Sequence, residues 1–308
     1  MKTTQNTLTP VLTGLEFTPV TDDDCELLRD FFEKYPSRSC DFSVGGVLLW
    51  NGFYQYEYSI VDDSLLIMGS WPGSDLKIFY EPRGPISIDA YTNLVKDYCR
   101  ATKAKGIILL PEETLPVADG DGRPVDTTLM PDWMEYVYEI EKFNNFPGKK
   151  MAKKRNHLNF FKNHYDHYEI EEISESIADE LIDFTERFSE GHADDAVAVY
   201  EAEEIKKALR NYSRYPYYGI AIRVDGNIVA YTFGEAIGDT MIIHAEKGDI
   251  SYGGVYQAIS SFFAEAVSER YPEVRYLNRE DDMGSEDLRK SKLSYHPSFF
   301  IGKRVISL

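Results

Sequence analysis

The sequence predicts an α/β (α+β) protein of two tandem units, each a mixed, mostly antiparallel sheet flanked by helices. Its 308 residues give room for two domains of about 150 residues, each able to bury a full core. The second half supplies the pattern. Two alternating apolar runs joined by Asp225-Gly226-Asn227, a strong hairpin signal, lead into strand, helix, strand, helix and strand. The first half carries a shorter version of that order, which divides the chain into an N-terminal unit, 1–145, and a C-terminal unit, 146–308.

In the first half, residues 15–20 read as a short strand and 22–35 as a helix that turns Leu27, Leu28, Phe31 and Phe32 inward. Strands at 54–60 and 65–69 flank the polar turn Asp62-Asp63. A strand at 77–80, a helix at 87–103 and a buried strand at 106–110, ended by Pro111, complete this unit. Residues 116–131, rich in Asp, Gly and Pro, read as a loop.

In the second half, helices are expected at 149–165, 176–189 and 202–212, and strands at 218–224, 228–236 and 240–246. The helix at 255–270 follows, with Val255, Ile259, Phe262 and Ala266 on one face. A strand at 274–278, a helix at 285–295 and a last strand at 299–306 end the chain. Ser43-Val44-Gly45-Gly46 and Ser251-Tyr252-Gly253-Gly254 fall at non-equivalent places in this register and mark no repeat.

A net charge of −19 opposes non-specific nucleic-acid binding, so any RNA contact must be focused on a local basic surface. Cys25, Cys40 and Cys99 are far apart and lack Cys-x-x-Cys spacing, which points to neither a disulfide framework nor a zinc site. No run approaches the roughly 18 apolar residues of a membrane span, and the first residues lack the apolar core of a signal peptide, so a cytoplasmic protein is expected. Gly-x-Ser-x-Gly, Walker A and Gly-x-Gly-x-x-Gly are absent, which removes support for hydrolase, P-loop and Rossmann readings.

Positive charge is concentrated at 149–166, with six Lys/Arg against one Asp. As a helix this stretch puts Met151, Leu158, Phe161 and Tyr165 on one apolar stripe and spreads Lys150, Lys153, Lys154, Arg155 and Asn156 over the rest. That is a phosphate-binding surface, with Arg155 the best bidentate partner, or else a solvated basic linker helix. His157, and His164 with His167, lack the adjacent Glu of a zincin motif, and no metal is expected. The second cluster, Asn278-Arg279-Glu280-Asp281-Asp282, ends a central strand where open sheets gather ligands. Its carboxylates suit an ammonium or a proton transfer. They also suit the start of the next helix, with Ser285 as N-cap and Glu286 and Asp287 on its first turn. Arg289, Lys290 and Lys292 are placed for an anionic substrate or for that helix's C-terminus. Asp282, Tyr295 and His296 are the candidate proton-transfer residues, and Pro297 breaks the helix.

The runs Lys153-Lys154-Arg155-Asn156-His157-Leu158-Asn159 and 278–297 make the chain resemble soluble bacterial proteins related to the C-terminal domain of phosphatidylglycerol lysyltransferase, a GNAT-like acyltransferase family. The resemblance implies two tandem GNAT-like units and transfer of an activated acyl or aminoacyl group to an amine or hydroxyl. The donor would be an aminoacyl-tRNA or another phosphate-bearing molecule held by the basic helix with Lys153, Lys154, Arg155 and Asn156, and Asn278, Arg279, Arg289, Lys290 and Lys292 would be further substrate-binding residues. A small molecule or peptide would accept the group. The alternative is a catalytically inactive GNAT-like module that binds a nucleotide or RNA end. GNAT enzymes receive a pyrophosphate where Gly253 and Gly254 stand here. The usual Gln/Arg-x-x-Gly-x-Gly/Ala pattern is broken, however, by Ile250 or Ser251 at its head and Val255 or Tyr256 at its end. Acetyl-CoA is therefore disfavoured and no cofactor is expected.

Overall fold

The strand-forming segments assemble into two seven-stranded sheets in the computed structural model, which describes residues 15–115, 126–191 and 194–308. In chain order the strands are β1 (Thr18–Pro19), β2 (Glu57–Val61), β3 (Ser64–Ser70), β4 (Lys77–Tyr80), β5 (Gly106–Pro111), β6 (Thr128–Leu129), β7 (Glu135–Glu139), β8 (Tyr168–Glu172), β9 (Tyr218–Val224), β10 (Asn227–Ile237), β11 (Thr240–Gly248), β12 (Tyr276–Asn278), β13 (Phe299–Ile301) and β14 (Lys303–Ser307). The helices are α1 (Cys25–Lys34), α2 (Val44–Tyr54), α3 (Ile88–Thr102), α4 (Ala152–His164), α5 (Ala178–Glu190), α6 (Ala196–Arg210), α7 (Val255–Arg270) and α8 (Glu286–Leu293).

Sheet one has the order β1-β2-β3-β4-β5-β14-β6 and sheet two, read from its far edge, β8-β9-β10-β11-β12-β7-β13. Each is antiparallel except for one parallel pair at the fourth and fifth positions, β4 with β5 and β11 with β12. The sixth position shows a reciprocal exchange. β7, which follows the first repeat in sequence, pairs with β12, and β14, which follows the second, pairs with β5.

This exchange corrects the single boundary expected between 145 and 146. One compact unit takes Met1–Val20, Tyr54–Leu129 and Lys303–Leu308, and the other takes Thr21–Phe53 and Met130–Gly302. In the first, α3 packs Tyr91, Val95 and Cys99 against Phe79, Ile108 and Leu110 of the sheet. In the second, one face of the sheet buries Phe262, Phe263 and Val267 of α7 and Leu158 and Phe161 of α4. The other face buries Leu181 and Phe184 of α5 and Ile205 and Leu209 of α6.

Several differences from the sequence reading have local causes. Helix α2 was not expected because Val44–Tyr54 is apolar on nearly every side and shows no helical periodicity. Helix α6 starts earlier than residue 202, because the Asp195 carboxylate caps it by accepting from the Val197 and Ala198 amides. The expected last strand is two strands, β13 and β14, which part at Gly302 for different sheets. Of the expected loop at 116–131, β6 is now a strand and 116–125 lie outside the described residues. The hairpin at Asp225-Gly226 forms as read, with both residues at positive φ.

One irregularity positions the site. Between β10 and β11 the pairing passes from Phe233↔Ala245 to Gly234↔Ile243, leaving His244 as the extra residue of a β-bulge. A Cβ on Gly234 would stand 2.0 Å from the Ile242 carbonyl oxygen, a backbone atom that cannot swing away. Gly234→Ala is therefore expected to destabilise the protein by about 1–3 kcal/mol, read as a lower urea midpoint at unchanged slope. An unchanged midpoint would contradict this account of the bulge.

Candidate active site

The parallel pairing of β11 and β12 ends at Ile242↔Asn278. Beyond it β11 runs on to Gly248 while the chain after Asn278 turns away, and two ion pairs occupy the opening. Arg279 donates through Nη2 to Glu246 Oε1 at 2.6 Å. The other Glu246 oxygen accepts from Ser260 Oγ of α7 at 3.0 Å. The His244 Nδ1 lies 2.9 Å from Glu280 Oε1.

Helix α4 meets this opening along its polar side. Its apolar stripe docks as expected, with Met151, Leu158 and Phe161 buried and Tyr165 half-buried. Lys154 then projects inward, with Nζ 3.6 Å from the centre of the Tyr295 ring. The Arg279 guanidinium carbon stands 4.9 Å from the centre of the same ring. Tyr295 is fixed from two sides: it stacks on Phe143 with centroids 5.5 Å apart, and its hydroxyl accepts from Gln257 Nε2 at 2.9 Å. Burial, then the charges of Arg279 and Lys153, lower the Lys154 pKa to about 8, against the opposing pull of Glu246. An amine of that pKa exchanges protons near neutral pH. Burial also raises the Tyr295 hydroxyl, which stays protonated.

The other residues singled out by sequence have distinct positions. Asp282 is fully buried and saturated: its carboxylate accepts from Tyr136 Oη, from Nε and Nη2 of Arg289 at 2.8 Å each, and from the Gly284 amide at 2.9 Å. Burial would raise its pKa, but these donors hold it below the usual carboxylate range. Asp282 and Arg289 thus form a clamp at the start of α8, and the expected proton-transfer role of Asp282 has no support in this geometry. His296 is exposed at positive φ where α8 ends. Asn278 is buried and binds the Arg38 carbonyl and Glu135 through Nδ2 while accepting the Glu280 amide. Lys292 is half-buried and donates through Nζ to the carbonyls of Arg279 and Asp281; Lys290 is exposed beside Glu286 and Asp287.

Arg155, expected as the bidentate phosphate partner, instead donates to the Phe146 and Gly148 carbonyls at 2.7 and 3.0 Å. Lys153 and Asn156 face solvent. Gly253 and Gly254 serve the approach of α4 to α7. A Cβ on Gly253 would lie 2.6 Å from the Phe160 ring, and one on Gly254, at φ +84°, 2.2 Å from the His157 carbonyl oxygen. The Gly253 amide is already donated to Tyr165 Oη at 3.0 Å. Cys40, Asp41 and Glu135 bring ligand-type atoms within 4.8 Å of one another. Glu135 is nevertheless committed to protein donors, accepting from Ser39 Oγ, the Cys40 amide and Asn278 Nδ2.

No sequence signal pointed to His244, because its partners are scattered along the chain and the bulge that aims it is invisible in a strand pattern. Its ring is buried, with Nε2 3.5 Å from Glu235 Oε2. Glu235 in turn accepts the amides of Val44 and Gly45 at the start of α2, and a Cβ on Gly45 would meet the ring at 2.3 Å. Burial lowers the His244 pKa, but Glu235 and Glu280 outweigh it and bring it to about 9, from 6.5. The imidazolium's contribution to stability is then fully present below pH 6.5 and lost as pH rises through about 9. The stability advantage of wild type over His244→Gln should shrink across that interval in urea unfolding; a constant difference from pH 6 to pH 10 would contradict the charged triad.

The comparisons with known proteins agree with this architecture. An uncharacterised protein of Mycoplasmoides gallisepticum is 27% identical over 180 residues, covering 56% of this chain and 56% of that one, so the chain spans little more than half the length of this relative. A conserved protein of unknown function from Bacteroides thetaiotaomicron superposes with a TM-score of 0.86 at 27% identity, covering 96% of this chain and 99% of the other. The structure of L-PGS from Bacillus licheniformis superposes at 0.61 and 15% identity over 91% and 90% of the two chains, a likeness of fold. The tandem GNAT arrangement recurs in a protein of the clavulanic acid biosynthesis pathway, at 0.50 and 10% identity over 95% and 98%. The family model described as phosphatidylglycerol lysyltransferase, C-terminal, matches residues 32–303, nearly the whole chain, and the protein belongs to that family.

Proposed function

We propose that the protein is an aminoacyltransferase that moves an activated aminoacyl group from a phosphate-bearing donor, best fitted by an aminoacyl-tRNA, to an amine or hydroxyl. The observation that carries this reading is Lys154, held on the Tyr295 ring beside the Arg279–Glu246 pair with its pKa lowered to about 8. Attack of an amine or hydroxyl on the donor's ester carbon requires loss of the nucleophile's proton and delivers a proton to the departing oxygen. Neutral Lys154 accepts the first proton and, as the ammonium, returns one to the leaving group. Arg279, kept charged by Glu246, supplies the fixed positive field that favours the developing oxyanion.

The backbone of Gly253 and Gly254 supports a donor other than acetyl-CoA. The turn before α7 where a pyrophosphate would need free amides and open space is packed under α4, and the Gly253 amide is engaged by Tyr165. The family to which the chain belongs supports the aminoacyl class of cargo. The acceptor is read as a small molecule or peptide, and among the described residues no helix is long and apolar enough to cross a membrane.

Lys154→Arg keeps the charge but not the ability to deprotonate. Aminoacyl transfer from charged tRNA should rise with pH through an apparent pKa near 8 in wild type. In the variant it should fall by roughly 100-fold or more. Full activity of Lys154→Arg would overturn the assignment, and absence of transfer by wild type from any charged tRNA would overturn the reading itself.

A further inference from the structure

Helix α4 has a second face that the proposed chemistry leaves unused. Its outward side carries Lys153, Asn156, Asn159, Phe160, Asn163 and His164, all exposed. Phe160 is 49% exposed although it is a large aromatic, and it is held flat rather than free. The His164 ring stacks on it with centroids 4.9 Å apart and planes 17° from parallel. The turn at Gly253 lies against its edge, close enough that a Cβ there would collide with it. The result is a rigid, solvent-facing π surface set among amide and ammonium donors.

We infer that this face is a stacking platform for an unpaired nucleobase of the RNA donor, next to the Lys154 site on the same helix. This rests on the aminoacyl-tRNA reading. The chemistry of the face favours single-stranded RNA: aromatic planes accept bases of any sequence, carboxamides bond base edges and ribose, and Lys153 neutralises phosphate. Charge complementarity points the same way, because the 149–166 stretch holds six Lys/Arg against one Asp in a chain of net charge −19. A lipid surface would instead want contiguous apolar side chains. Here the exposed apolar side chains are Phe160 on the helix, 49% exposed, and Ile250 on the turn before Gly253, 84% exposed, and the other side chains of the face are Asn, His and Lys.

The test is binding of the full-length protein to a short single-stranded RNA ending in CCA, followed by fluorescence anisotropy at several salt concentrations. Phe160→Ala should weaken binding about 5- to 100-fold, Phe160→Tyr should restore it, and Lys153→Ala should reduce the salt slope by about 0.7. These side chains are exposed, so the variants should keep the wild-type melting temperature. Equal affinity of Phe160→Ala and wild type, no binding of the oligonucleotide by wild type, or displacement of the RNA by phosphatidylglycerol vesicles would each overturn the inference. Its failure is separable from failure of the aminoacyl reading: wild type that transfers from charged tRNA while Phe160→Ala binds normally sinks the platform alone, and wild type that binds the RNA without transferring sinks the reading alone.

Discussion

The Arg279–Glu246 pair is the constraint on which the rest of the site depends. It sits where the parallel strands β11 and β12 part, and it holds the chain leaving one strand against the end of the other. A guanidinium and a carboxylate withdrawn from water hold each other in place, and removing one partner of such a pair costs about 3–5 kcal/mol; Nη1 of Arg279 has no hydrogen-bond partner among the described residues, so its tie to Glu246 matters the more. Here Ser260 satisfies the second carboxylate oxygen, and the Tyr295 ring covers the guanidinium. That same ring carries Lys154. Arg279 thus shares the Tyr295 ring with Lys154 and supplies part of the repulsion that lowers the lysine's pKa.

Charge is arranged on two scales around this point. The acidic bulk of the protein repels polyanions at long range, while α4 gathers cations on one helix and stays docked through Leu158 and Phe161. The docking needs Gly253 and Gly254, whose missing side chains let the backbone of α4 approach the start of α7. Packing a basic helix over that turn leaves the Gly253 amide engaged by Tyr165 and the nearby positive charge on the side chains of α4. Asp282, Arg289 and Tyr136 brace the neighbouring loop from below, which makes the charged 278–292 run largely scaffold.

Periodicity and turn chemistry made much of the fold legible. The Asp225-Gly226 hairpin, the amphipathic α3 and α5, the apolar run of α7 and the docked stripe of α4 all follow patterns that depend on neighbours a few residues apart. What stayed hidden depends on distant partners. Helix α2 has no polar face to reveal its period, the exchange of β7 and β14 is a pairing choice with no local signature, and the bulge at His244 is a register shift. The site was legible by residue type more than by role. Lys154, Arg279 and Tyr295 were singled out and do come together, yet Asp282 and Arg289 neutralise each other, and Arg155 is spent on the carbonyls of Phe146 and Gly148. Unassigned in the sequence were Glu246, which holds Arg279, and Phe160, whose exposure only packing could show.

The central claim is that burial and the neighbouring cations tune Lys154 for proton transfer. Its most direct test is an NMR titration of the Lys154 side chain, observed through the ε-carbon and assigned by comparison with Lys154→Arg. The account predicts a midpoint near 8. A midpoint at the ordinary lysine value of 10.5 would contradict it.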